Sequence, residues 1–217
     1  MRYKGMIFDF DYTLGDSTDG IVESANYALE QMGYQRAGRE QIRRTIGLHL
    51  EETYRVLVES QGKDAKTEEE AEFRRLFVEK ADQVMTASTS LYDGVLDLMR
   101  DWKGQGIKLG IVTTKYHYRI EEILQKYQAE GLFDVVIGGE DVARPKPDPE
   151  GLLRALKMWE LPKEELLYVG DSLVDAKTAQ AAEVDFAGVT TGTTPAEALA
   201  EYASVGVFAS LQGLAER

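Results

Sequence analysis

Three features of the chain predict an α/β fold: a parallel sheet with helices on both faces, plus an inserted α-helical subdomain. Short apolar runs alternate with amphipathic helical stripes from about residue 91 onward, which is the pattern of βαβ units. A long interval with helical spacing alone separates the first apolar run from the second. The runs end in carboxylates, hydroxyls or a nearby cation, at the edge where open parallel sheets hold their ligands.

Each element follows from its local pattern. Residues 5–10 read as a buried strand, with Met6, Ile7, Phe8 and Phe10 apolar. Ile21, Ala25, Ala28, Leu29 and Met32 form one stripe of an amphipathic helix. Only helices and loops are predicted from there to residue 88. Within that interval Thr67 and Glu70 have capping-box spacing and open a helix carrying Phe73, Phe77, Ala81 and Val84. Val95, Leu98, Met99 and Trp102 share a helix face that glycines terminate. Residues 107–114 make a strand, and Ile120, Ile123, Leu124 and Tyr127 mark the next helix. Strand 133–139, helix 149–159, strand 166–172, helix 174–182 and strand 184–192 follow, with a short last strand over 204–210. The interval after the first strand is too long for a simple crossover, so residues 16–88 are assigned to the inserted subdomain and residues 1–15 with 89–217 to the α/β core.

Composition narrows the function. The 217 residues are 43% apolar and 29% charged, ordinary for a globular protein. A net charge of -13 disfavours nucleic acid or an anionic membrane as partner. It leaves room for phosphorylated small molecules, because a bound cation inverts the local field. With no cysteine, disulfides, thiolate catalysis and cysteine zinc sites are excluded. The first apolar run is too short for a signal peptide and no run approaches a membrane span. A cytoplasmic location is the expectation.

The strand ends carry the chemistry. The first strand ends in Asp9 and Asp11, the second in Thr113 and Thr114. The loop after the third leads into "ARPKPDP" with Lys146, and the fourth ends in Gly170, Asp171 and Ser172, with Asp175 four beyond Asp171. Adjacent carboxylates repel unless a cation lies between them, and Mg²⁺ needs few protein carboxylates because it keeps several waters. A Thr hydroxyl and a Lys ammonium suit the nonbridging oxygens of a phosphoryl group. One carboxylate is a candidate nucleophile, and a second is a candidate acid and base. Phosphoryl transfer is the chemistry that uses all of these groups. Singly, each has a plainer reading: Asp after a strand is common in turns, Asp171 or Ser172 suits a helix cap, and Thr113 suits a strand. The joint pattern outweighs them.

"DFDYTLGDS", "IVTTK", "RPKPDP" and "GDSLVD" occur in this order over the core. Together they resemble the four motifs of the haloacid dehalogenase superfamily, in its phosphoglycolate phosphatase-like branch with a helical cap after the first strand of a Rossmann-like core. The resemblance implies Asp9 as nucleophile, Asp11 as general acid and base, and Thr113 and Lys146 as holders of the phosphoryl group. It implies Mg²⁺ on the Asp9 carboxylate, the Asp11 backbone carbonyl and Asp171, with Asp175 supporting the metal shell or pairing with Lys146. The substrate it implies is a small phosphorylated metabolite, with leaving-group recognition in the cap and the loops facing it. Two positions depart from the pattern. Tyr12 stands where a Gly is usual, which narrows the entrance or alters the turn, and Thr114 stands where an Asn is frequent, its backbone amide still suited to phosphate.

The alternatives are an inorganic pyrophosphatase, a sugar-phosphate mutase on the same scaffold, and a receiver-like phospho-Asp signalling domain. A dehalogenase is disfavoured by Asp11, and a mutase by the absence of a His in "DGIVES". A receiver would lack the second Asp and the helical insertion. His49 and His117 are assigned to surface or packing roles, with His49 in a loop that faces substrate in related caps. Arg43 and Arg44 are read as an exposed helix face, with an anionic substrate tail as the alternative.

Overall fold

The computed structural model describes residues 2–216. Along the chain lie β1 (Gly5–Phe8), β2 (Gly15–Asp16), α1 (Thr18–Gln31), α2 (Arg39–Arg43), α3 (Leu50–Glu59), α4 (Thr67–Ser88), β3 (Ser90–Leu91), α5 (Val95–Gly104), β4 (Lys108–Val112), α6 (His117–Lys126), β5 (Val135–Ile137), α7 (Glu150–Trp159), β6 (Leu166–Gly170), α8 (Leu173–Ala182), β7 (Asp185–Val189), α9 (Ala196–Ala200), β8 (Gly206–Phe208) and α10 (Leu211–Ala215). The chain divides into two compact units, Met1–Asp16 with Leu91–Arg217, and Ser17–Ser90.

The first unit is the α/β core. Six strands form one sheet in the order β5-β4-β1-β6-β7-β8, and its paired neighbours run parallel. All four residues of β1 are buried. The two-residue period of a strand divides them between the faces. Met6 and Phe8 join Leu109, Ile111, Leu167 and Val169 in one apolar cluster. Ile7 joins Val112, Leu166, Tyr168 and Phe186 in the other. Burial on both faces explains why these strands read as continuous apolar runs. Trp102 of α5 covers the first face by stacking on Phe8 with ring centroids 5.8 Å apart, and Leu152, Ala155 and Leu156 of α7 cover the second.

The observed strands are shorter than the predicted ranges, mostly at the carboxyl end. Residues 9–10, 113–114, 171–172 and 190–192 all lie beyond the strand ends. Those residues are polar or glycine apart from Phe10, and the loops they enter form the site. Helices α9 and α10 are additions to the expected set. At five residues each, they are too short for a 3.6-residue period to register.

The second unit is helical. Ala25, Ala28 and Leu29 of α1 pack with Tyr54 and Leu57 of α3 and with Phe73, Phe77, Ala81 and Met85 of α4. The capping box expected from Thr67 is not formed. Lys66 occupies the cap position of α4 and no side chain caps it. The Tyr54 hydroxyl donates to Glu69 Oε2 at 2.6 Å, and the Tyr34 hydroxyl donates to the same oxygen. These two bonds, that from Tyr34 foremost, hold the Glu69 carboxyl below its ordinary range. Among the described residues, no helix is long and apolar enough to cross a membrane.

Candidate active site

Sheet order and register determine which strand ends meet. β1 lies between β4 and β6, and Phe8 aligns with Ile111 on one side and Val169 on the other. The connections reverse direction around β1, at the switch point where such sheets open a crevice. Asp9 follows Phe8 and donates its N–H to the Val169 carbonyl at 2.9 Å. Asp171 lies two residues beyond Val169, and Thr113 follows the end of β4.

Lys146 is on the loop that enters α7, joined to Pro147 by a cis peptide bond. Its ammonium lies 2.9 Å from Asp9 Oδ1 and 2.6 Å from Asp175 Oδ1, with all three side chains at most 4% exposed. One carboxylate oxygen from each of Asp9, Asp171 and Asp175 falls within 4.8 Å of the others. Asp175 is held through its second oxygen. Oδ2 accepts from Ser172 N–H at 3.2 Å and from Ser172 Oγ at 2.5 Å, while Ser172 caps α8. Thus Ser172 has the capping role that its sequence position allows, and this role orients Asp175 toward Lys146.

Tyr168 belongs to the same cluster, although sequence reasoning did not single it out. Its hydroxyl accepts from Lys146 Nζ at 3.1 Å and lies 2.8 Å from Asp175 Oδ1 and 3.2 Å from the Val112 carbonyl, to one of which it donates. The available signal was its register. It lies two residues before Gly170 on one strand, and a phenol inside an apolar run needs a buried partner. Tyr168→Phe is expected to lower stability by about 1–2 kcal/mol, measured by urea unfolding. No change would mean that the hydroxyl is dispensable.

Asp11 lies on the turn after β1. Its Oδ2 is 3.0 Å from Lys115 Nζ. Its Oδ1 is buried and has no hydrogen-bond partner among the described residues. Tyr12 keeps the left-handed backbone that glycine favours, with φ 60°. The Tyr12 N–H donates to the Gly15 carbonyl at 2.7 Å, and its own carbonyl accepts from Thr191 Oγ1. The turn therefore persists with a side chain present, and that side chain is buried.

Asp171 is enclosed more loosely. Thr13 Oγ1 lies 3.5 Å from its Oδ1. On its other side a Cβ added at Gly192 would come within 1.8 Å of Oδ2. No side chain fits there unless Asp171 moves. Gly192→Ala is therefore expected to raise the Mg²⁺ concentration for half-maximal activity by about 10-fold, equivalent to about 1.4 kcal/mol. An unchanged metal titration would show that Asp171 does not need this position. Thr113 is buried, and its Oγ1 accepts from Lys115 N–H at 3.2 Å, leaving the hydroxyl proton to donate. Thr114 is half-buried beside Gly139, where an added Cβ would meet its carbonyl at 2.6 Å.

The electrostatics favour a cation. Among the described residues Lys146 pairs with Asp9 and Asp175, Lys115 pairs with Asp11, and Asp171 joins the acidic group, so four carboxylates and two ammonium groups leave two negative charges if all are ionised. Burial pushes the Asp9 carboxyl up to about 6, partly offset by Lys146 and reinforced by Asp175. Burial, then Asp175 and Asp9, holds Asp171 well above the carboxylate range. Lys146 is raised above its ordinary value: burial opposes its charge, but Asp175 and Asp9 outweigh that. Burial, reinforced by Asp175, likewise raises Tyr168. The oxygen-only donor set of Asp9, Asp171 and Asp175 and the charge deficit fit a hard divalent cation such as Mg²⁺.

His117 has its own partners in the α/β core, and His49, Arg43 and Arg44 belong to the helical unit. His117 Nδ1 is 2.8 Å from Asp141 Oδ2 and its Nε2 is 3.4 Å from Glu121 Oε1, joining the start of α6 to the turn after β5. His49 occupies the cap position of α3 without making a capping bond. Arg43 and Arg44 each pair with Glu40.

The family model for haloacid dehalogenase-like hydrolases matches residues 6–189. Phosphoglycolate phosphatase 1 of Pseudomonas aeruginosa is 32% identical over 210 residues, covering 96% of this chain and 77% of that protein. The phosphoglycolate phosphatase of Cereibacter sphaeroides is 32% identical over 188 residues, covering 87% and 85%. A crystal structure of a Bacteroides fragilis protein assigned to the haloacid dehalogenase-like hydrolases superposes with a TM-score of 0.92 at 42% identity, covering 98% of this chain and 99% of that one.

Proposed function

The chain belongs to the haloacid dehalogenase-like hydrolases, and from that premise we propose that it is a Mg²⁺-dependent phosphatase of phosphoglycolate phosphatase type. It cleaves a small phosphate monoester through an aspartyl-phosphate on Asp9. The observation that carries this reading is the pair on one turn. Asp9 is packed against Lys146, and two residues later Asp11 has one oxygen on Lys115 and a buried oxygen without a hydrogen-bond partner among the described residues.

Asp9 is the nucleophile. Its carboxylate lies 2.9 Å from the Lys146 ammonium, which favours the charged form that attack on phosphorus requires. A bond forms from an Asp9 oxygen to phosphorus as the ester oxygen departs in line. Asp11 gives its proton to that oxygen. Water then attacks phosphorus, the Asp9–phosphorus bond breaks, and Asp11 takes the water proton, so the products are alcohol and orthophosphate. Thr113 and Lys146 hold nonbridging oxygens, and the Thr114 amide is a further donor. Asp9, the Asp11 carbonyl and Asp171 would hold Mg²⁺, with Asp175 supporting them. When bound, the ion neutralises charge on the phosphoryl oxygens.

Steady release of phosphate from a panel of monoesters with Mg²⁺ tests the reading, since a signalling domain would stop after one equivalent. Asp11→Asn is expected to cut kcat by about 10²–10⁴-fold. On p-nitrophenyl phosphate, whose leaving group needs little protonation, this variant should release about one equivalent of nitrophenol per enzyme and then stall. A linear progress curve without a burst would remove Asp11 from the second step.

A further inference from the structure

We infer that Thr191, on the loop after β7, is a positioning residue for Asp11, and that its hydroxyl is needed chiefly for the second chemical step. This rests on the phosphatase reading, in which Asp11 takes the proton of the water that hydrolyses the aspartyl-phosphate. It adds to that reading a residue from a fifth strand end.

Asp11 lies on a turn that closes mainly on itself. The Phe10 carbonyl accepts from the N–H groups of Thr13 at 3.2 Å, Leu14 at 2.8 Å and Gly15 at 3.2 Å, and the Tyr12 N–H donates to the Gly15 carbonyl at 2.7 Å. The Tyr92 N–H holds the far end through the Leu14 carbonyl at 3.0 Å. Tyr12, next to Asp11, keeps a left-handed backbone that a residue with a Cβ adopts at a cost. Such a conformation persists where surrounding contacts enforce it. The Thr191 hydroxyl supplies one from outside the turn, donating to the Tyr12 carbonyl across 179 positions.

The sheet sets this loop in place. β7 is the neighbour of β6, with Gly188 aligned on Gly170. The Thr190 N–H donates to the Phe208 carbonyl at 2.9 Å, which fixes the start of the loop on β8. At the next residue but one, a Cβ on Gly192 would come within 1.8 Å of Asp171 Oδ2. Asp171 Oδ1 in turn lies 3.5 Å from Thr13 Oγ1 on the Asp11 turn. Successive loop residues therefore brace the turn and the carboxylate beside it, and Thr191 acts on Asp11 through a backbone carbonyl.

The test follows p-nitrophenyl phosphate by rapid mixing, with Mg²⁺ saturating for the wild type. In Thr191→Val the first equivalent of nitrophenol should appear at a rate within about 3-fold of wild type, because this leaving group needs little protonation. The steady-state rate should fall by about 10- to 100-fold, the cost of a misplaced catalytic group. Thr191→Ala, which also lacks the donor, should behave alike, and Thr191→Ser, which keeps it, should recover most of the steady-state rate. Thr190→Val is the control. Its lost hydroxyl lies 3.4 Å from the Phe208 carbonyl instead, and both phases should match wild type. Burst amplitude and both rates falling together would overturn the inference, since that is the mark of a merely structural hydroxyl. So would a Ser variant as slow as the Val variant, or a loss that higher Mg²⁺ restores. Wild-type protein that turns over neither this ester nor the wider monoester panel would refute the phosphatase reading, and the inference with it.

Discussion

Asp9→Asn is expected to lower kcat by roughly 10⁴-fold or more while leaving the fold intact. The amide cannot form an acyl phosphate, and the other site groups cannot substitute for a missing nucleophile. Stability should not fall with activity. Burial already drives the Asp9 carboxyl up to about 6, so replacing it with a neutral amide relieves a charge that the site holds at a cost. Lys146 keeps Asp175 as a partner. Thermal melting beside steady-state rates separates the outcomes. A variant that keeps near wild-type turnover with metal excludes Asp9 as nucleophile, and one that loses both activity and several degrees of Tm points to a structural role.

Lys146→Met is expected to destabilise the metal-free protein by about 3–5 kcal/mol at pH 8, the range for breaking a buried ion pair by removing one partner. The ammonium contacts both Asp9 and Asp175 and also the Tyr168 hydroxyl. Its loss leaves these carboxylates crowded without a counter-charge. The penalty depends on pH with a definite sign. Burial raises the folded-state carboxyl of Asp9 from 3.8 to about 6 while Lys146 holds it down, so without the lysine it rises further, and proton uptake as pH falls stabilises the folded variant more than the folded wild type. The cost of Lys146→Met should therefore be smaller at pH 5 than at pH 8, measured by urea unfolding at both. An equal penalty at the two pH values would show that repulsion among the acids is not what the lysine offsets.

The parallel sheet was legible because its strands are buried on both faces and so appear as apolar runs, while the amphipathic helices between them show their period. The same property hid the strand ends. "VDFAGVTTG" gives no local sign that the ladder stops at Val189 and that Gly192 lies against Asp171. The polar residues of the site were legible because carboxylates, hydroxyls and a lysine recur at successive strand ends. Their apolar-looking or inconspicuous partners were not. Tyr168 reads as one more strand residue, and its link to Lys146 spans 22 positions. Lys115 reads as a loop charge until the register of β1 against β4 sets that loop beside Asp11. The Tyr34–Tyr54–Glu69 tie of the helical unit likewise joins residues 15 and 35 positions apart, whereas the local Thr67–Glu70 signature failed. Contacts made across the sheet or between helices depend on three-dimensional register, which local spacing does not encode.

The phosphorylated residue itself is the most direct test. Asp11→Asn enzyme mixed with p-nitrophenyl phosphate and Mg²⁺, quenched in acid and digested, should yield one phosphorylated peptide, with the group on Asp9. An unmodified Asp9 peptide from enzyme that has released its equivalent of nitrophenol, or a phosphoryl group found on another residue, would contradict the account.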